Sequence, residues 1–351
     1  MGAGHSTMTG TPDSLPETPE RGGAATDLLS VVLRAVRLSG SFLFRGEFSS
    51  PWCCAAEDSR IVAPFLLPGA QCLVFFHVIT EGRCWAELEK ERPVLLGPGD
   101  VIALPYGDAH ALSNPQGGKR TPFAALLPPP PWPEPPRIVH GGGGEVTRVL
   151  CGFLHCDDAL FSPVLTNLPR VLFVRARPDE PSWLELTTRH MLEEASLRRP
   201  GGACLLGRLV ELLFVEVLRR HMEELGEHEI GWLAAAKDPT VGKALQLMHA
   251  DLAQPWTVEQ LGKCVGLSRS ALADRFRYLL REPPMQYLTR WRLHRAAQLL
   301  RDSDQGIASI AAQVGYESEP AFNRAFKRHV GDPPATWRSG ARARALAVPE
   351  N

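Results

Sequence analysis

The chain has 351 residues, enough for about two or three domains of roughly 150 residues each, and its 44% apolar and 22% charged content is ordinary for packed globular cores. Its 38 Lys and Arg against 39 Asp and Glu leave a formal charge of −1, which excludes a nucleic-acid binder held by bulk positive charge. Eight cysteines are too few for a disulfide scaffold and form no Cys-x-x-Cys pair, so zinc ribbons and thioredoxin-type sites are excluded and reduced thiols are expected.

Residues 1–26, rich in Gly, Thr, Pro and Glu and without an apolar h-region, read as a disordered tail and not a secretory leader. Residues 27–175 are strand-like, with apolar runs Leu73–Ile79, Val94–Leu96 and Val101–Leu104 punctuated by Gly and Pro. The most apolar stretch, Ile61 to Ile79, is broken by Pro64, Pro68 and Gly69 and carries Gln71 and His77. It predicts two buried strands rather than a membrane helix, and with it a soluble cytoplasmic protein with no membrane partner. Leu127–Pro136 reads as a polyproline-like loop, and Gly141–Gly144 as a flexible turn before a strand near Val146–Phe153. A phosphate-cradling loop would need a following helix and a Lys-Ser/Thr, which are missing.

Within this half, Gly99-x5-Pro105-x-Gly107-x2-His110-x3-Asn114 is similar at every position to the second motif of the cupin barrels. The first cupin motif is met only in part, by Gly69-x5-Phe75-x-His77-x3-Glu81, with Phe75 in place of a histidine and Leu88 in place of a glycine. The resemblance implies a cupin-like barrel whose pocket senses a small effector. It leaves His77, Glu81 and His110 as a two-His-one-carboxylate set, sufficient in principle for a divalent metal. No other cofactor is expected. A metal-dependent cupin enzyme is therefore a rival reading, although no further catalytic set converges on the pocket and the chain is read as a non-enzyme. Thiol-based redox sensing is a second rival, through Cys53, Cys54, Cys151 and Cys156 in this half. Cysteines on barrel strands are more often small buried hydrophobes, and Cys151 could meet Cys156 only across a turn or bulge.

From Pro181 the hydrophobic period changes. Ser182–Arg198 predicts a helix with Ser182 as N-cap, and Ala203–Leu225 predicts a second. The second carries Leu205, Leu206, Leu209, Leu212, Leu213, Val215, Val217 and Leu218, too many for one face. It is expected to be buried on two sides, against its own domain and against a partner subunit. Residues 176–235 thus read as a helical linker and dimerisation segment.

The last hundred residues contain a repeat. Val265-Gly266-Leu267, Phe276-Arg277, Pro283-Pro284 and Tyr287 are matched by Val314-Gly315-Tyr316, Phe326-Lys327, Pro333-Pro334 and Trp337. Upstream, Val258, Leu261 and Gly262 fall opposite Ile307, Ile310 and Ala311. A small residue lets two helices cross closely, and the glycine four positions later takes a positive φ in the turn. The unit is a helix-turn-helix, present twice. A helix over Met285–Arg301, about 26 Å long at 1.5 Å per residue, would hold the two recognition helices roughly one DNA turn apart.

This region resembles the AraC/XylS family of bacterial transcription regulators. The carrying residues are Ile307-x-x-Ile310-Ala311-x-x-Val314-Gly315-Tyr316-x-Ser318, Phe322-x-Arg324-x-Phe326-Lys327-Arg328, Gly331-x-Pro333-Pro334 and Trp337-Arg338. The resemblance implies a homodimer that binds promoter DNA beside RNA polymerase, in the manner of an activator. The charge divides accordingly: residues 236–351 hold 17 Lys and Arg against 11 Asp and Glu, and residues 1–235 hold 21 against 28. On the first recognition helix, Ser268 is the expected N-cap. Ser270 and Asp274 point to the groove, with Arg269 and Arg277 on phosphates; Asp274 either accepts from cytosine or pairs internally with Arg277 or Tyr278. On the second, Ser318, Glu319, Asn323 and Arg324 face the groove, with Lys327 and Arg328 toward the backbone. The expected fold is α+β: a tail (1–26), a barrel (27–175), a helical linker (176–235), an all-α double helix-turn-helix domain (236–340) and a second tail (341–351).

Overall fold

The computed structural model describes residues 27–35, 38–67, 70, 73–129, 132, 135–156, 168–176, 183–197, 199–226 and 228–347. The expected tail at 1–26 and the Ser182 cap lie outside the described residues. The chain enters through helix α1 (Leu28–Ala35), where the Asp27 carboxylate accepts from the Leu29 and Ser30 amides. There follow β1 (Leu38–Ser49), β2 (Trp52–Ala56), α2 (Ser59–Leu66), β3 (Leu73–Glu81), β4 (Cys84–Leu88), β5 (Val94–Leu96) and β6 (Val101–Leu104). Then come β7 (His110–Asn114), β8 (Thr121–Pro122), β9 (Arg137–Gly141), β10 (Val146–Cys156) and β11 (Leu172–Val174). One sheet has the order β11-β6-β3-β10-β1-β9 and the other β5-β4-β7-β2-β8. Pairing is antiparallel except for β1 with β9 and β2 with β8.

Two expectations for this half are corrected. The segment after Asp58 is not a strand: Ile61, Val62, Phe65 and Leu66 recur at helical spacing, and the Asp58 carboxylate caps the segment by accepting from the Arg60 amide. Gly107 (φ +62) lets the β6–β7 turn approach this helix, where its carbonyl accepts from the Ser59 amide at 2.8 Å. The Gly141–Gly144 turn is not free either. Its Gly142 and Gly144 amides donate to the Ser49 and Ser50 carbonyls, both at 2.8 Å.

Period-two alternation along the larger sheet separates two cores. Leu73, Phe75, Ile79, Ile102, Leu104, Val149, Cys151 and Phe153 fill the space between the sheets. Their neighbours Val74, Phe76, Val78, Val101, Ala103, Leu150 and Leu154 face outward and are equally buried. Both faces are covered, which is why this stretch reads as a continuous apolar run.

Covering that outer face are α3 (Trp183–Leu197) and α4 (Gly202–Glu224), with Val210, Leu213, Phe214 and Val217 against Phe76 and Ala103. Of the residues that made α4 look two-sided, Leu205 and Leu212 stand exposed. The remaining helices are α5 (Trp232–Lys237), α6 (Val241–Ala250), α7 (Val258–Val265), α8 (Arg269–Leu280) and α9 (Pro284–Asp302). After them come α10 (Ile307–Gln313), α11 (Glu319–Val330) and α12 (Pro334–Ala347), so residues 341–347 continue a helix where a tail was expected.

The outward core does not stop at the domain border. It runs from the sheet through α4 and α1 into α5, α6, α7, α8 and the first half of α9, ending at Trp291. A separate core begins at Leu293 and gathers the second half of α9 with α10, α11 and α12. Helix α1, expected to be part of the barrel, packs instead against α6, with Leu28 and Leu29 buried. Among the described residues no helix is long and apolar enough to cross a membrane.

Candidate functional site

Helices α7 and α8 form one helix-turn-helix, α10 and α11 the other, and the repeat holds down to single hydrogen bonds. Leu267 N donates to Gly262 O at 2.9 Å, and Tyr316 N donates to Ala311 O at 2.9 Å. Gly266 and Gly315 take φ of +74° and +82°. Each recognition helix starts on a serine: Ser268 Oγ accepts from Ala271 N at 3.2 Å and Ser318 Oγ from Ala321 N at 3.4 Å. Ser318, expected in the groove-facing set, is thus a helix cap.

Arg269, Ser270, Asp274 and Arg277 are all exposed on α8. Of the two internal partners open to Asp274, Arg277 and Tyr278, the structure has Arg277, whose Nη1 donates at 3.0 Å. On α11, Glu319, Arg324, Lys327 and Arg328 are exposed, whereas Asn323 is half-buried with its Oδ1 unpartnered. The predicted residues other than Asn323 therefore lie on the outer faces of both recognition helices.

Sequence reasoning missed the groups that fix those helices. Asp238 caps α6 by accepting from Val241 N at 2.8 Å, and its other oxygen accepts from Arg275 of α8 at 2.9 and 2.7 Å. Arg292 on α9 donates to Leu252 O and Gln254 O, both at 2.7 Å, and to Gly315 O at 3.3 Å. It thereby ties the α6–α7 loop to the turn of the second unit. No local sequence signal marks an arginine for such a role, because its acceptors are backbone carbonyls.

Behind α8 lies a buried polar chain. An indole N–H only donates, so Trp291 Nε1 makes His249 Nδ1 an acceptor. His249 Nε2–H then donates to the Tyr287 hydroxyl at 2.8 Å, which also accepts from Trp232 Nε1 at 2.9 Å. Burial, with His294 adding repulsion, pushes His249 down from 6.5 to about 3. The unfolded chain binds this proton below 6.5 and the folded chain only near 3, so stability falls as pH drops through that window. At pH 4.5 the loss from this residue should be about 2–3 kcal/mol, at 1.36 kcal/mol per pKa unit. Urea titrations at pH 7 and 4.5 test this, and His249→Asn should flatten the dependence; an unchanged slope in the variant would assign it elsewhere.

The barrel encloses a cavity of about 470 Å³ lined by Phe44, Phe48, Phe75, Leu112, Trp132, Cys151 and Phe153, with Ile61 and Phe65 of α2 on its wall. His77 of β3 and His110 of β7 meet there, Nε2 to Nε2 at 2.6 Å. Burial lowers both from the ordinary histidine value, His77 well below it, while Asp108 partly opposes the shift at His110.

Glu81 does not join them. Four residues along a strand is about 13 Å, and Glu81 ends β3 in an exposed ion pair with Arg148. The two imidazoles bond to each other, and no group of three metal-ligating side chains forms among the described residues. The two-His-one-carboxylate expectation is corrected, and these residues do not fit a metal centre.

The thiols are corrected as well. Cys53, Cys54 and Cys151 are buried, and burial pushes Cys54 up to about 12 and Cys53 and Cys151 upward too, opposite to what a reactive thiolate needs. Cys151 and the backbone of Cys156 lie on one strand, β10, with no turn between them. The Cys156 side chain lies outside the described residues.

A cupin family model matches residues 27–223, and a helix-turn-helix domain model matches residues 261–340. An AraC-like transcription regulator of Streptomyces antibioticus is 30% identical over 291 residues, 80% of this chain and 94% of that protein. The RCS-specific HTH-type transcriptional activator RclR of Escherichia coli (strain K12) is 27% identical over 276 residues, 78% of this chain and 87% of that one. Among solved structures, the DNA-binding domain of AdpA in complex with a target DNA is 31% identical with a TM-score of 0.30, covering 30% of this chain and 98% of that one.

Proposed function

For this chain, which belongs to the AraC-like transcription regulators and carries an N-terminal cupin domain, we propose that occupancy of the barrel cavity sets how the two recognition helices are presented to promoter DNA. The observation that carries this is the core shared by the barrel's outer face and the first helix-turn-helix. A change at the cavity wall has packed side chains, through α4, to act on.

Arg269 and Arg277 on α8, and Lys327 and Arg328 on α11, contact phosphates in this reading. Ser270 and Asp274 on α8, and Glu319, Asn323 and Arg324 on α11, reach the base edges. Two copies act together: Leu205 and Leu212, one heptad apart on α4, are 48% and 46% exposed and would be covered by a second copy. Action in the cytoplasm as an activator beside RNA polymerase rests on kinship, one relative being named an activator.

The test is a titration of the full-length protein against genomic DNA fragments at two salt concentrations, with light scattering of the complex. Sequence-selective binding that weakens with salt is expected, with two chains per operator. Arg324→Ala should lose about 5- to 100-fold at one operator position, while Lys327→Ala should weaken all sequences alike and lower the salt slope by about 1. Binding that ignores sequence, or ignores salt, would overturn the reading.

A further inference from the structure

The barrel cavity, about 470 Å³, lies in the range of small-molecule sites, and its wall is hydrogen-bonded to itself. The Pro-rich run after Leu127 supplies part of that wall through Pro128, Pro129 and Trp132. Proline has no backbone N–H to offer, and the Trp132 indole N–H already donates to Pro128 O at 2.8 Å. A carbonyl oxygen only accepts, so the 2.8 Å contact to Asp108 O places a proton on His110 Nδ1. A neutral His110 then accepts at Nε2 from His77 Nε2, 2.6 Å away. The remaining ring nitrogen, His77 Nδ1, has essentially no accessible surface, so no occupant can reach it. Strand backbone at the wall is committed to its ladders, with Cys54 paired to Leu112 and Gly152 to Phe76. The Cys54 and Cys151 thiols are weak hydrogen-bonding groups, and burial keeps them neutral. Glu57 is the one charged residue at the wall among those described, and it is exposed to water.

A polar group entering such a cavity would give up water and gain no partner. We propose that the cavity binds an uncharged hydrocarbon, enclosed among Phe44, Phe48, Phe75, Phe123, Trp132 and Phe153 without any hydrogen bond. This rests on the reading that the barrel holds the effector, and adds the chemistry of that effector. A dry apolar cavity of roughly 150 Å³ accepts one benzene. This one is about three times larger, room for two or three rings or a chain of similar bulk. An anion would find no Lys or Arg at the wall among the described residues, and Glu57 would repel it. A cation would find Glu57 alone, where water and salt screen it. On α2, Ile61 and Phe65 line the cavity yet stand 57% and 79% exposed. An apolar occupant would take part of that surface out of water.

The experiment is equilibrium dialysis of the full-length protein against biphenyl and its 4-hydroxy, 4-carboxylate and 4-aminomethyl derivatives at pH 7.5. Biphenyl should bind about 5- to 100-fold tighter than the hydroxyl derivative, which buries a group without a partner. Both charged derivatives should bind more weakly still. Val62→Trp, at a half-buried position of α2 on the cavity wall, should abolish biphenyl binding, while Val62→Ala should keep it. Leu112→Trp on β7 repeats the filling from the opposite wall should the first variant fail to fold. Equal binding of biphenyl and its hydroxyl derivative, or tightest binding of a charged one, overturns the hydrocarbon assignment. Absence of biphenyl binding, or binding that survives the filling, overturns it too. Operator titration of Val62→Trp separates this outcome from the broader reading. Altered DNA affinity keeps the effector reading even where the hydrocarbon fails, and unchanged affinity removes that reading even where biphenyl binds.

Discussion

Phe326→Ala should melt the second helix-turn-helix and leave the first folded. Phe326 is fully buried, with its ring 5.5 Å from that of Phe322 and 6.0 Å from that of Trp337. Removing such a ring costs about 3–5 kcal/mol. The core that would take this loss is small and separate, built on Leu293, Leu300, Ile310, Val314 and Phe322. Hydrogen exchange should therefore show amides of α10 and α11 opening while those of α6 and α8 stay protected. Operator affinity should fall to that of a single-groove reader. The mirror substitution, Phe276→Ala, strikes the core shared with the barrel and should loosen α4 as well. If Phe326→Ala destabilised every element equally, the two cores would act as one.

Arg292→Leu should leave both readers folded and separate their orientations. One guanidinium holds Leu252 O, Gln254 O and Gly315 O, one side in the first unit and the other in the second. Burial lowers the Arg292 pKa, so the charge is held at a desolvation cost that these carbonyls offset. Hydrogen bonds to a charged group contribute about 1.5–3 kcal/mol each; with the side chain half-buried, a total of about 2–4 kcal/mol is expected. Affinity for an operator spanning two grooves should drop about 10- to 100-fold, and affinity for a single half-site should hold. Arg292→Lys should fall between, because a point-like ammonium cannot reach three carbonyls at once. Equal losses on both kinds of site would assign Arg292 to folding alone.

The duplicated reader was legible because its signals are local. Glycine at the turn, small residues at the crossing and Pro-Pro ends act within a few positions, and all recur one repeat later. The barrel strands were legible for the same reason. What eluded the sequence depends on distant partners. Glu81 has the spacing of a metal ligand, yet only the strand's length shows that it cannot reach His77. Ile61 to Ile79 is the most apolar stretch of the chain, and the helical start is a single capping hydrogen bond to Asp58, just ahead of that run. Helix α1 is short, and only its docking on α6 gives it a place. The His77–His110 contact joins strands of different sheets, and the tautomer that matters follows from the Asp108 carbonyl, which no side-chain pattern records.

The alternation along β3 has a consequence for how such a protein diversifies. Phe75 and His77 look inward while Phe76 and Val78, their direct neighbours, touch the seam with the helices. Changes at the inward positions alter which molecule is recognised without disturbing that seam. Changes at the outward positions alter how strongly recognition is felt by the reader. Taste and volume are thus inherited on alternate residues of a single strand, and each can drift while the other stays put.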